Sequence, residues 1–241
     1  FSQTLNYVYF GQSPVIDDSP MPNGEGGNGS GSVGGINHGS SSGGSFVTPS
    51  DKPEIPDLPD DTKKYPELDG HWGESEIREM INNGYVYGYD DGKLHLEDEV
   101  TRAEFAVIIA RALKYDLETY TGTFADVTED KWFASYIQAV SDNGIINGNG
   151  REFMPDNPLT RQEMAKILVL IYEENNMRKT DTMETVFADS GDISEWAYDY
   201  VVRASNYGLM NGVGSDLFSP LGIVSREQAM VAVYRLLDIL N

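Results

Sequence analysis

The sequence predicts an all-α fold, in which three helix-loop-helix repeats pack as a pseudo-threefold bundle behind a disordered linker rich in glycine, serine and proline. Two observations predict this fold. Beyond residue 63, four marker residues recur three times at spacings of 59 to 65 residues, and helical apolar stripes accompany every copy. Before residue 64, the composition cannot bury enough apolar surface to offset the entropy lost on folding. The markers are Trp72, Trp132 and Trp196; Gly84, Gly144 and Gly208; Gly88, Gly148 and Gly212; and Arg102, Arg161 and Arg226.

Three kinds of segment follow one another along the chain. Residues 1–10 are rich in aromatic and β-branched side chains, which favours one strand, and we expect this strand to end a domain lying upstream. Residues 11–63 are predicted to be a flexible linker, because residues 23–45 alone contain ten glycines and six serines. The three repeats are expected at 64–119, 120–183 and 184–241.

The first half of each repeat is predicted to be a short amphipathic helix followed by a loop. In the first copy, Ile77, Met80 and Ile81 have the spacing of one helical face, and Gly84 stands where a left-handed C-cap is expected. An apolar residue then occupies one equivalent loop position in all copies, where it should plug the loop into the core. These plug residues are Leu94, Phe153 and Phe218.

The second half of each repeat is predicted to be a longer helix that begins with a capping box. A Thr or Ser is followed three residues later by Glu or Gln, a pattern that stabilises a helix start by about 1 kcal/mol. One two-helix unit cannot bury both of its apolar stripes, so we expect the three units to fold as a single body. The capping pairs are Thr101 with Glu104, Thr160 with Glu163, and Ser225 with Gln228.

Composition argues against several function classes. The formal net charge of the 241 residues is −22, which disfavours nucleic acid as a partner, and no apolar run approaches the ~18 residues of a membrane span. The chain has no cysteine, and its histidines, His38, His71 and His95, do not recur in the repeat. We therefore expect no metal site, no cofactor and no catalytic activity.

An arginine follows the capping hydroxyl in every repeat. The helix macrodipole disfavours a cation there by a few tenths up to about 1 kcal/mol, so its recurrence indicates a use. Together with free first-turn amides, the guanidinium would form an anion site. The alternative is that each arginine pairs with a structural carboxylate in an aromatic-x-acid motif. The carboxylates are Glu67, Asp126 and Asp189. The tryptophans likewise have two interpretations, as buried core anchors or as surfaces on which sugar rings stack.

Taken together, the markers resemble the S-layer homology (SLH) family. The motif of that family has an aromatic-x-Asp opening, a Trp, a Gly-hydrophobic-hydrophobic-x-Gly loop, Phe-x-Pro and then Thr-Arg-Ala-Glu, and three copies cover most of residues 64–241. The resemblance implies a three-repeat bundle that attaches a surface protein non-covalently to an anionic, often pyruvylated, secondary cell-wall polysaccharide in grooves between repeats. It also implies an extracellular location at the bacterial cell wall or S-layer.

The ligand contacts of the family transfer to this sequence position by position. The second repeat follows the motif most closely, whereas the first has Leu94-His95-Leu96 in place of Phe-x-Pro and the third has Gln228 in place of the final acid. The groove of the second repeat is therefore the one that we most expect to bind ligand. The implied contacts are Arg102, Arg161 and Arg226, the acidic residues Glu67, Asp126 and Asp189, and Trp72, Trp132 and Trp196.

Two other functions remain open at this point. The repeats could form a protein-interaction or self-assembly module, in which grooves accept a peptide or the domain joins a surface lattice. A hydrolase of the wall polymer is disfavoured, because no catalytic residue recurs. Residues 64–241 carry 31 acidic and 15 basic side chains, for a net charge of −16, so an anionic polymer must be held by local contacts that overcome long-range repulsion.

Overall fold

The computed structural model describes residues 65–176 and 187–241, so the predicted upstream strand and linker lie outside the described residues. Within the described ranges the fold is all-α, as predicted, with six α-helices, three short 3₁₀ turns and no strand longer than an isolated bridge. Each repeat contributes two helices. They are α1 (Glu74–Asn82) and α2 (Arg102–Ala112), α3 (Ala134–Asp142) and α4 (Arg161–Asn176), and α5 (Tyr198–Asn206) and α6 (Arg226–Leu240).

The first helix of each repeat ends as the sequence predicts. Gly84 follows the C-cap of α1 with a φ of +72°, and the amide of Tyr85 donates to the carbonyl of Met80, five residues earlier. Gly144 and Gly208 also have a φ of +72° after α3 and α5. A side chain at these positions would be strained, which explains why glycine recurs there.

The second helices begin at their predicted caps. At α2 both halves of the capping box form, because the Thr101 hydroxyl accepts from the Glu104 amide and the Glu104 carboxylate accepts from the Thr101 amide. At α6 the Ser225 hydroxyl accepts from the Gln228 amide in the same way. The cap positions are therefore set by local sequence.

The three repeats close into a ring through the segments that precede their second helices. Val100 donates its amide to the Val224 carbonyl, Val224 donates to Leu159, and Leu159 donates back to Val100, with N···O distances of 2.9, 2.9 and 3.0 Å. Three isolated bridges run alongside these bonds and connect each pair of repeats once. The ring gives the predicted pseudo-threefold arrangement a physical basis, because every repeat is bonded to both others.

Helix packing follows the same cyclic order. The first helix of each repeat packs on the second helix of the preceding repeat, in the pairs α2 with α3, α4 with α5, and α6 with α1. Helix α6 also contacts α2 and α4, which brings the long helices together inside the domain. The predicted plug residues complete one shared core, and each is fully buried at 0% exposure: Leu94, Phe153 and Phe218. None of the described helices is long and apolar enough to cross a membrane.

Candidate ligand-binding site

The three recurring arginines are buried at the junctions between repeats. Arg102, Arg161 and Arg226 are 8%, 6% and 0% exposed. Each donates its Nε–H to the carbonyl of the plug residue in the next repeat. Each guanidinium also lies against an aromatic ring of that next repeat. The Nε···O distances are 3.0 Å from Arg102 to Phe153, 2.8 Å from Arg161 to Phe218, and 2.9 Å from Arg226 to Leu94. This inter-repeat bond explains why arginine recurs at a position that the helix macrodipole disfavours.

The expectation of free first-turn amides is wrong. At α4 the amides of Arg161 and Gln162 donate to the carbonyls of Gly222 and Pro220 in the third repeat, at 2.9 and 3.0 Å. The first two residues of α2 and α6 make the same pair of bonds to the loop of the following repeat. These amides already donate to backbone carbonyls where the repeats join, so they are not available to bind an anion.

The arginines approach the capping residue of the next repeat. Arg102 lies 3.3 Å from Glu163 and Arg226 lies 3.6 Å from Glu104, measured from Nη1 to Oε1. Arg161 instead meets the neutral side-chain oxygen of Gln228, at 3.4 Å. The second repeat therefore supplies an arginine that no capping acid faces.

The predicted acidic residues hold the loop of their own repeat. Asp126 accepts the amides of Phe153 and Met154, at 2.8 and 2.7 Å, and Asp189 accepts those of Phe218 and Ser219, at 2.9 and 2.7 Å. Glu67 accepts the Leu94 amide in the first repeat. Met154 and Ser219 have φ values of 58° and 59°, a left-handed conformation that costs energy in residues other than glycine, and the carboxylate bonds offset that cost.

Burial and hydrogen bonding change the pKa values of these groups. Burial lowers the pKa of Arg102 and Arg161, although Glu163 opposes the shift at Arg102 and Asp189 opposes it at Arg161. Both guanidiniums stay charged at neutral pH, because the ordinary pKa of arginine is far above it. At Asp189 burial alone would raise the pKa, but the amides of Phe218 and Ser219 outweigh that effect and lower it.

A groove of about 440 Å³ opens where the second and third repeats meet, and we call it the 2/3 groove. Helix α4 contributes Arg161, the loop of the third repeat contributes Asn211 to Val213, and α6 contributes Gln228 and Arg235. Trp72, from the first repeat, forms a further part of the wall. The groove therefore combines cations, polar groups and an aromatic face.

Trp72 is exposed and is held in place by a clamp between the first and third repeats. Its side chain is 57% exposed, and its indole N–H donates to Oε1 of Glu227 at 3.3 Å. The other oxygen of Glu227 lies 2.9 Å from Nε2 of His71, whose Nδ1 accepts the Gly73 amide at 3.1 Å. Glu227 belongs to α6, so the helix that forms one side of the groove also positions its aromatic wall.

The other two tryptophans lie in different surroundings. Trp196 is 49% exposed, and the Lys166 ammonium stands over its ring, 5.5 Å from the centroid. Trp132 is half-buried against the core and packs edge-on against Phe133. Trp72 and Trp196 therefore present exposed rings. Trp132 fits the other interpretation, that of a core anchor, more closely.

Of the nine sequence-predicted ligand residues, Arg161 and Trp72 lie together in the 2/3 groove. Arg226 is fully enclosed, and the acidic residues are engaged by loop amides. Sequence reasoning missed Arg235, His71 and Glu227. In the described ranges, no group of three or more histidine, aspartate or glutamate side chains is arranged to hold a metal ion.

Comparison with known proteins gives the family. A profile described as the S-layer homology domain matches residues 64–106, 123–165 and 186–230. The chain is 34% identical over 177 residues to an amylopullulanase of Thermoanaerobacterium thermosulfurigenes, 34% over 173 residues to exoglucanase XynX of Acetivibrio thermocellus, and 30% over 176 residues to the S-layer protein sap of Bacillus anthracis. These matches cover 73%, 71% and 73% of the chain but only 10%, 16% and 20% of the relatives. The chain belongs to the S-layer homology family, with three tandem SLH domains between residues 64 and 230.

Proposed function

We propose that the repeats anchor a surface protein to the bacterial cell wall without a covalent bond. The ligand would be an anionic secondary cell-wall polysaccharide, with pyruvate substituents as the expected source of charge. Membership of a family that includes S-layer proteins supports a place at the cell surface.

One observation carries this proposal. The 2/3 groove gathers Arg161 and Arg235 beside the exposed ring of Trp72, on a domain whose net charge is strongly negative. An anionic sugar could stack on the indole while its carboxylate meets a guanidinium, and the partly enclosed site would strengthen that contact relative to open water. Short-range contacts of this kind can overcome the repulsion that the rest of the domain exerts.

We propose a binding role and no catalytic role for the repeats. Several relatives are named as enzymes, but the chain spans only a tenth to a fifth of the relatives compared above. The shared part is the SLH region, so the activity in their names need not belong to it. The effector that this anchor would hold lies outside the described residues.

Sedimentation with purified cell walls tests the proposal. The 241-residue chain should pellet with walls that carry the polysaccharide, and should stay in solution with walls from which the polysaccharide has been extracted. Mild acid, which removes pyruvate ketals, should weaken binding if pyruvate provides the charge. Equal pelleting with native and extracted walls would contradict the proposal.

Self-association is a second candidate that one observation favours. The loop of the third repeat exposes four apolar side chains at positions where the first two repeats carry mainly polar or charged ones. Exposed apolar patches often mark protein contacts. The residues are Val213, Leu217, Leu221 and Ile223, at 52%, 38%, 60% and 36% exposure. A concentration-dependent mass in light scattering, abolished by Leu221→Asp, would support this function.

A further inference from the structure

Arg235 is a groove residue that the repeat motif does not predict. It lies on α6, half-buried, and lines the 2/3 groove together with Arg161. No hydrogen bond or ion pair joins its guanidinium to the residues of the two described ranges, whereas Arg161 already donates to the carbonyls of Phe218 and Asn211. Arg235 therefore has donors left for a ligand.

The two arginines are placed to meet different parts of a ligand. The Arg161 guanidinium reaches α6 at Gln228, where Nη1 lies 3.4 Å from the side-chain oxygen. Arg235 is seven residues further along the same helix, which is two turns, or about 10 Å along the helix axis. The two guanidiniums therefore approach the groove from positions two helical turns apart on α6, which allows each to meet its own acidic group.

Local charge also favours an anion beside Arg235. The acidic side chain in the groove lining is Glu227, and its two oxygens are engaged by His71 and Trp72. The groove thus presents two guanidiniums against one carboxylate that is already paired. This local excess of positive charge stands out on a strongly acidic domain.

The equivalent position differs at the other two junctions. In the second repeat it is Leu170, which carries no charge. In the first repeat it is Arg111, which packs between the rings of Tyr87 and Tyr136 at 5.1 and 5.2 Å and donates to the Tyr136 hydroxyl at 3.3 Å. Among the three equivalents, Arg235 is the one that combines a charge with a place in the described groove.

We propose that Arg235 binds a second acidic group of the glycan, so that the 2/3 groove selects a polysaccharide segment with negative charges on two successive sugars. This inference rests on the proposed function. Arg161 and Trp72 would hold the first charged sugar, and Arg235 would hold the acidic substituent of the next one along α6.

Two synthetic oligosaccharides test this inference. The first carries one pyruvate ketal on its terminal sugar, and the second has the same structure with a uronic acid as the adjoining residue. Calorimetry with the 241-residue chain should give about tenfold tighter binding to the doubly charged probe, the value of one good charge-assisted hydrogen bond. Arg235→Gln should remove that advantage, so that the ratio of the affinities for the two probes falls from about ten to about one.

Arg151→Gln is the matched control, because Arg151 is exposed, lies outside the groove lining and carries the same charge. It should leave the preference for the doubly charged probe intact. If Arg235→Gln weakened both probes equally, or if Arg151→Gln had the same effect, the inference would be overturned and only a general charge effect would remain. If the unmodified chain bound neither probe nor native walls, the proposed function itself would fail, which distinguishes the two failures.

Discussion

The junction between the third and first repeats and the junction between the second and third repeats use the same arginine in different ways. At both, the Nε–H donates to a loop carbonyl of the next repeat, at 2.9 Å for Arg226 and 2.8 Å for Arg161. At the former, the ring of Tyr89 covers the Arg226 guanidinium at 4.6 Å, and the Tyr89 hydroxyl donates to Glu104 at 3.0 Å. Arg226 is consequently fully enclosed and has an acid beside it.

At the 2/3 groove the two covering positions hold different residues. Val213 takes the place of Tyr89, and Gln228 takes the place of Glu104. The Arg161 side chain therefore stays slightly exposed at the groove, and its guanidinium meets a neutral amide in place of a carboxylate. This arginine is therefore first an inter-repeat connection, and two neighbouring side chains decide whether a ligand can also reach it.

Replacing the enclosed Arg226 should have the largest effect, and this effect is on the free energy of unfolding. Arg226→Ala leaves the Leu94 carbonyl and the Glu104 carboxylate without their buried cation, so the free energy of unfolding should fall by about 3 to 5 kcal/mol. Arg226→Lys should recover little, because an ammonium lacks the planar fork. Urea denaturation measures both. Arg151→Ala, an exposed control, should change little, and a similar small loss for Arg226→Ala would contradict the structural role.

Closing the 2/3 groove should abolish most of the binding. Val213→Tyr with Gln228→Glu copies the cover of Arg226 onto Arg161, so affinity for the wall polysaccharide should fall by about tenfold or more, while the melting temperature is kept or raised. Val213→Tyr alone separates steric cover from the added charge and should give part of the loss. Undiminished binding by the double variant would place the ligand elsewhere.

Removing the aromatic wall should weaken binding by about tenfold, because stacking on an indole is lost. Trp72→Ala is suited to this measurement, since the side chain is exposed and its removal should change the free energy of unfolding by no more than about 0.5 kcal/mol. Trp196→Ala is the matched control, because Trp196 is similarly exposed but lies over Lys166, outside the lining of the 2/3 groove. A larger loss for Trp196→Ala would reverse the assignment of the preferred groove.

The acidic residue of the third repeat should contribute a smaller, pH-dependent effect. Because the folded-state pKa of Asp189 is lowered, its contribution to stability is present above the ordinary aspartate pKa of about 3.9 and is lost as the pH falls through the folded value. Asp189→Asn should therefore cost about 1 kcal/mol at pH 7 and progressively less below about pH 4. Denaturation curves across this range measure the difference. Asp192→Asn, which removes a charge at an exposed neighbour, is the matched control.

The local elements could be predicted from the sequence because their causes are local. Glycine at Gly84 ends a helix through its left-handed φ, and the Thr101 and Glu104 pair begins the next one, whatever the rest of the chain does. The plug residues were also predictable, since an apolar residue repeated three times inside a polar loop must be buried. The internal repeat provided three instances of each pattern in support of these inferences.

The junctions could not be predicted, because their causes are contacts between residues distant in sequence. Arg226 bonds to a carbonyl 132 residues away, and backbone carbonyls carry no signal in a sequence. The same closure consumes the first-turn amides that had been expected to bind an anion. The exchange of Tyr89 for Val213 is visible between the repeats, but its meaning depends on knowing that this position lies over the arginine.

The three tryptophans, one in each repeat, can report directly whether the ligand binds in the 2/3 groove. Their indole N–H signals in a nitrogen–proton NMR spectrum, assigned by Trp→Phe variants, can be followed as wall polysaccharide is added to the 241-residue chain. We expect the Trp72 signal to shift at the lowest ligand concentration while the Trp132 signal stays in place. A spectrum in which Trp132 moves first, or in which Trp72 does not move at saturation, would contradict it.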